Sequence, residues 1–132
     1  MAAPLFRVVA VPAALNGAPE SWAADMLGDG EVAVLVDEGG LGAIDEVARA
    51  IGATAISVVR TEATPEEQER TVIAHAGGLA LVWIAGGFSD AAREWATKRA
   101  PMTLLVEVDG ALPEQERHRI ERFVRILGGQ AA

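Results

Sequence analysis

The sequence predicts a three-layer α/β domain with about five mainly parallel strands between two layers of helices. Five apolar runs indicate the strands: Leu5–Val11, Val32–Val36, Ala55–Val59, Leu79–Ala85 and Thr103–Val108. Most of these runs are continuous rather than alternating, as in strands that helices cover on both faces. Their first residues are 27, 23, 24 and 24 positions apart, which accommodates a strand, a helix and two short loops. We therefore expect one Rossmann-like or flavodoxin-like αβα domain over residues 1–132.

The segments between the apolar runs have helical patterns. Thr64-Pro65-Glu66-Glu67 is a capping box with proline at the first helical position, and Gly77 is placed to end that helix. Apolar residues at helical spacing predict three further helices, around Trp22–Leu27, over Ile44–Ile51 and from Pro113 onward. A fifth helix begins near Ser89-Asp90. The intervening segments, including Pro12–Ala18 after the first strand, are predicted loops.

Composition limits the classes of function. Nineteen acidic residues against eleven basic ones give a net charge of −8, which opposes long-range attraction to nucleic acid or anionic lipid. The chain has no cysteine, so disulfides and thiolate metal sites are excluded. Its apolar runs are shorter than a membrane span, and the first residues lack the pattern of a signal peptide. We expect a cytoplasmic protein, and the Ala-, Gly- and Arg-rich composition suggests a bacterial source.

Five loops are predicted to meet at the carboxyl ends of the strands, where open α/β sheets bind ligands. The loop after the first strand has neither a dinucleotide-binding glycine fingerprint nor the Lys-Ser/Thr of a P-loop, so no cofactor is predicted. Asp37, Glu62 and Asp109 follow three different strands and form a candidate site for a hard metal ion. They have no spacing signature, so the alternative is that they are solvated carboxylates.

Two glycine-rich corners are candidate anion sites. Gly86 and Gly87 precede Ser89, a good N-cap, and Gly39 and Gly40 precede the second predicted helix. Backbone N–H groups at such helix starts can bind an anion. A structural turn explains the same residues, and glycine is then required only where φ is positive. For Gly39-Gly40, the adjacent acidic residues oppose a phosphate but would suit a hydroxyl group or a cation, and a solvated turn is the favoured interpretation.

The stretch GGFSDAAREWATKRAPMTLLVEVDGAL, residues 86–112, resembles the second half of the Mrr-type restriction endonuclease domain. Extended toward the N-terminus, the resemblance implies a restriction-endonuclease-like core with Glu20 and Asp45 at acidic active-site positions. It requires Ile44–Arg49 to be a strand, whereas the periodicity there is helical. The family's Gln/Glu-x-Lys is missing, because the matching strand reads Ile56-Ser57-Val58-Val59-Arg60. The resemblance therefore implies a catalytically degenerate domain.

The sequence leaves three hypotheses for function. The first is a non-catalytic regulatory or protein-interaction domain that associates with itself or with another protein. The second is a small-ligand or anion-binding protein or enzyme that uses the glycine corners. The third is a degenerate Mrr-like nuclease domain. A membrane partner is not expected, and nucleic acid is disfavoured by the net charge.

Overall fold

A computed structural model describes residues 5–19, 21–28, 30–36, 40–52, 56–99 and 102–131. The strands are β1 (Phe6–Ala10), β2 (Gly30–Leu35), β3 (Ser57–Val59), β4 (Ala80–Ala85) and β5 (Thr103–Glu107). The helices are α1 (Pro12–Asn16), α2 (Trp22–Leu27), α3 (Gly40–Ala50), α4 (Pro65–Ala76), α5 (Asp90–Arg99) and α6 (Glu114–Ala131). Within these ranges no helix has both the length and the apolar character needed to cross a membrane.

The five strands form one sheet in the order β3-β2-β1-β4-β5, and every pairing is parallel. The chain first runs outward from β1 to β3 and then returns to β4 on the other side of β1. Right-handed crossovers consequently place the helices on opposite faces in the two halves of the sheet. The predicted three-layer fold is confirmed.

The two sheet faces have separate apolar cores. On the first face, α1, α2, α3 and α6 pack on side chains such as Val8, Val34 and Ile84. On the second face, α4 and α5 pack on Val9, Leu81 and Trp83. Successive residues of a strand point to opposite faces, which is why the continuous apolar runs supply both cores.

Local signals account for several helix boundaries. Thr64 caps α4, because its Oγ1 accepts a hydrogen bond from the Glu67 backbone N–H at 3.2 Å. Gly77 follows the end of α4 with a φ of +57°, a conformation that glycine adopts without a steric penalty. Ile44–Arg49 lies inside α3, with Ile44 and Val47 buried, as the helical periodicity predicts.

The prediction of a loop over Pro12–Ala18 was wrong, because Pro12–Asn16 forms α1 directly after β1. Proline at the first helical position fixes a helical φ and removes a backbone donor that would have no helical partner. The helix has only five residues, too few for a visible apolar period. Asn16 ties its end to α3 by donating to the Ala43 carbonyl oxygen at 3.0 Å.

Candidate functional site

The crevice between β1 and β4 is the expected ligand position, because the strand order reverses there. In this chain the segment after β5 packs against α1, which follows β1. The Leu112 N–H donates to the Ala14 carbonyl oxygen at 3.3 Å, and the Leu112 side chain is buried. A Cβ on Gly17 would lie 2.3 Å from the Cβ of Ala111, so this close approach requires glycine. The segment therefore packs on α1 across the end of β4, and its Leu112 side chain joins the first core.

The Gly86–Ser89 corner holds a carboxylate of the chain itself. Glu69, on α4, accepts hydrogen bonds from the Ser89 N–H at 2.8 Å and from the Ser89 hydroxyl. The same hydroxyl accepts from the Ala92 N–H at 3.1 Å and so caps the first turn of α5. The positive end of a helix dipole attracts an anion. At this corner Glu69 supplies that charge and joins α4 to α5.

The two glycines of this corner are not required by its backbone geometry. The described glycines with positive φ are Gly40, Gly52, Gly77 and Gly110. A Cβ on Gly86 would lie 3.9 Å from the Val108 carbonyl oxygen, and one on Gly87 would lie 3.8 Å from a Glu107 side-chain oxygen. Both are ordinary contact distances, so the turn accepts alanine at either position.

Glu62 is held by its neighbours rather than turned toward other acids. Its Oε2 accepts from both Nε and Nη2 of Arg60, at 3.1 and 2.8 Å, and from the Thr71 hydroxyl at 2.7 Å. Hydrogen bonds from Arg60 and Thr71 hold the pKa of the Glu62 carboxyl below its usual range. The pair with Glu62 also raises the pKa of Arg60. Gln68 fixes the loop by accepting from the Glu62 N–H and donating to the Arg60 carbonyl oxygen, both at 2.9 Å.

The three metal candidates are not brought together in the described structure. Glu62 follows β3 and Asp109 follows β5, the two outermost strands. Four inter-strand spacings of ~4.8 Å separate those strands by roughly 19 Å. Asp37 lies outside the described residues. Among the residues that are described, no group of three or more His, Asp or Glu side chains could hold a metal ion.

The other candidate residues lie on α3 and β3 or outside the described residues. Gly40 begins α3 with a φ of +62°, while Gly39 and Glu20 lie outside the described residues. Asp45 is exposed on α3, so the strand that the extended Mrr resemblance requires there is a helix. Val59, which the resemblance would place at the lysine position of that family, is buried on the second face against α4.

An aromatic cluster lies next to the Gly86–Ser89 corner. The ring of Trp83 meets Phe88 edge-on at 5.1 Å and Trp95 at 6.3 Å between centroids. Arg99 lies 4.6 Å from the centroid of Trp95 and donates to the Thr103 hydroxyl at 3.0 Å. Burial lowers the pKa of Arg99. This cluster packs α5 onto β4 and makes the corner part of the second core.

Sequence reasoning missed Glu69, Arg60 and Thr71 as parts of this edge. Glu69 and Ser89 are 20 residues apart, so their contact has no local signal. Arg60 and Glu62 are separated by one residue in a predicted loop, a pattern too common to be diagnostic.

No protein-family model matches the chain, and comparisons with curated proteins and with solved structures also gave no match. The likeness to the Mrr-type domain therefore stays a prediction.

Proposed function

We propose that this chain is a non-catalytic protein-interaction domain that self-associates through the β3 edge of its sheet. The observation that carries the proposal is one row of aligned residues on the first face. The strand register aligns Val106, Ile84, Ala10, Val34 and Val58 across all five strands. The first four are fully buried, whereas Val58 is 49% exposed. The apolar row thus continues into solvent at β3, where no described helix covers it.

A second apolar side chain extends this exposed surface. Val36 follows β2 two residues after Val34, is 46% exposed, and continues the alternation toward the same face. From a rise of ~3.3 Å per residue and a spacing of ~4.8 Å, Val36 and Val58 lie roughly 8 Å apart. Leu41, at the start of α3, is 77% exposed. Exposed apolar side chains that lie close together, as Val36 and Val58 do, favour a protein contact.

The β3 strand is short, at three residues, and it carries no charge or proline that would block pairing at its edge. Native edge strands are commonly blocked by charges, prolines or a covering segment. In the described chain β3 pairs with β2 alone. Its free backbone donors and acceptors can therefore pair with another strand.

We assign the partner as a second copy of the chain. Antiparallel pairing of two identical edge strands has two-fold symmetry, so a single surface completes both halves of the interface. Centred on Val58, the pairing brings the two Val58 side chains together on the same face and yields a ten-stranded sheet. The net charge of −8 opposes association in general, but the strand that makes this contact is uncharged.

The carboxyl edge of the sheet supports a non-catalytic role. Glu69 occupies the start of α5, Glu62 is bound by Arg60 and Thr71, and Leu112 is buried in the first core. Groups that are already paired with one another are poorly placed to act on a substrate. On the sequence evidence we further propose a cytoplasmic location, with neither nucleic acid nor membrane as a partner.

Sedimentation equilibrium from low micromolar to near-millimolar concentration tests this proposal. The wild type is expected to dimerise, and Val58→Lys to weaken the dimer at least tenfold, which corresponds to ~1.4 kcal/mol. Met102→Lys is the matched control, because Met102 is also a partly exposed apolar residue but precedes β5 at the other edge. A wild type that stays monomeric contradicts the proposal, as does an equal loss in both variants. Circular dichroism verifies that each variant is folded.

A further inference from the structure

A cavity of about 570 Å³ lies between α3 and the segment that joins α1 to α2. Cavities of roughly 300–1,000 Å³ are the usual size of small-molecule sites. Its apolar wall includes Leu15, Ala23 and Ala50, and polar groups of Ser21, Glu46 and Arg49 line the remainder. This cavity is separate from the glycine corners and from the β3 edge.

The two charged groups of the cavity come from one face of α3. Glu46 and Arg49 are three residues apart, so their side chains project from the same side of the helix. Opposite charges at this spacing commonly pair. Glu46 and Arg49 do not pair with each other. Among the described residues, neither side chain takes part in an ion pair or has a hydrogen-bond partner. An anionic and a cationic group are thus both free beside an apolar wall.

Ser21 adds an unusual backbone conformation at the same cavity. Its φ is +70°, and among the described residues it is the non-glycine residue with positive φ. Serine rarely adopts this conformation, and such residues concentrate at functional sites. Although Ser21 precedes α2, its side chain makes no capping hydrogen bond, so the hydroxyl remains available to a ligand.

We infer that this cavity binds a small zwitterion, an α-amino acid with a compact apolar side chain. Arg49 and the Ser21 hydroxyl can donate hydrogen bonds to the carboxylate of the ligand. Glu46 can accept a hydrogen bond from the ammonium group of the ligand. The apolar side chain of the ligand then packs on Leu15 and Ala23. This inference does not depend on self-association at β3.

Thermal-shift and calorimetric titrations with the twenty standard α-amino acids test the inference. At least one with an apolar side chain, such as L-leucine, is expected to raise the unfolding temperature. For L-leucine the matched probes are 4-methylpentanoate, which lacks the ammonium group, and isoamylamine, which lacks the carboxylate. Each should bind at least tenfold more weakly than the amino acid. Arg49→Gln and Glu46→Gln should each weaken amino-acid binding at least tenfold.

The controls are Arg122→Gln and Glu66→Gln, which remove the same charges from exposed positions on α6 and α4. Both should bind the amino acid as the wild type does. The inference is overturned if no amino acid binds, if the single-charge probes bind as tightly, or if the control variants lose as much affinity. Sedimentation of the same variants separates a failure of this inference from a failure of the proposed dimer. Neither Arg49 nor Glu46 lies on β3, so their variants should dimerise as the wild type does.

Discussion

The two edge strands of the sheet, β3 and β5, differ in how the rest of the chain contacts them. At β5, the backbone groups of Met102 and Val108 bond to β4, which leaves those of Leu105 pointing outward. Arg119 of α6 reaches the Leu105 carbonyl oxygen at 3.5 Å, and Arg93 pairs with Glu107 at 3.2 Å. A charged side chain thus contacts the outward backbone of β5, and a second ion pair lies at the end of the strand.

At β3 the second face is covered and the first face is open. Val59 packs against α4, whereas Val58, its neighbour along the strand, is half exposed. Protein edges left unprotected tend to pair with another strand. The contrast with β5 is the reason for proposing the β3 edge as the interface, because a side chain of α6 contacts the backbone of the other edge.

The largest effect expected from this comparison is on the free energy of unfolding. Ile84 and Val58 belong to one row of the sheet, but only Ile84 is buried. Ile84→Ala should cost ~2–5 kcal/mol, as for other large-to-small changes in a core. Val58→Ala, measured in urea at a concentration where the chain is monomeric, should cost less than ~0.5 kcal/mol. Similar losses at the two positions would mean that β3 is covered in the monomer.

Removing the Arg119 contact at β5 should affect the free energy of unfolding less than Ile84→Ala does. It should nevertheless change how the chain self-associates. Arg119→Ala deletes the contact to Leu105 and an ion pair with Glu116, so we expect a loss below ~1 kcal/mol. It should also add a second mode of self-association, detected by sedimentation as species larger than a dimer. Arg122→Ala, on the exposed side of α6, is the control. If both variants sediment alike, Arg119 does not protect the edge.

The loop after β3 should make the stability of the fold depend on pH, through Glu62. Because the folded-state pKa of Glu62 is depressed, its carboxylate stabilises the fold above the unfolded-state pKa. That contribution is lost as the pH falls through the folded-state value, below the ~4.3 of an ordinary glutamate. Glu62→Gln should therefore destabilise at neutral pH, with a difference from wild type that shrinks in acid. Thermal unfolding between neutral and acidic pH measures it, and a constant difference would refute the assignment.

The smallest expected effect is at the glycine corner. Gly86→Ala and Gly87→Ala should each change the free energy of unfolding by less than ~0.5 kcal/mol, because neither φ is positive and the added Cβ has room. Gly110→Ala is the comparison, since Gly110 has a φ of +101° and alanine there should cost about 1 kcal/mol or more. Urea unfolding of the three variants tests the ranking. A loss at Gly86 that matches Gly110 would show that the corner is strained.

The sequence predicted the sheet well because the evidence for it is periodic. Apolar runs at nearly constant spacing fixed the five strands, and the Thr64 capping box fixed the start of α4. It could not predict the partner of Ser89, because Glu69 approaches only through the packing of α4 beside α5. Nor could it separate Val58 from Val59, which are identical residues in one apolar run. Which of them is covered depends on where α4 packs.

Backbone amide hydrogen exchange, followed by NMR at low and high protein concentration, shows which edge strand is covered on association. We expect outward-facing amides within Ser57–Val59 to become protected as the concentration rises, while those within Thr103–Glu107 do not change. Val58→Lys should abolish the protection. Protection that appears at β5 instead, or a dimer that forms without any change at β3, would contradict the assignment of the β3 edge as the interface.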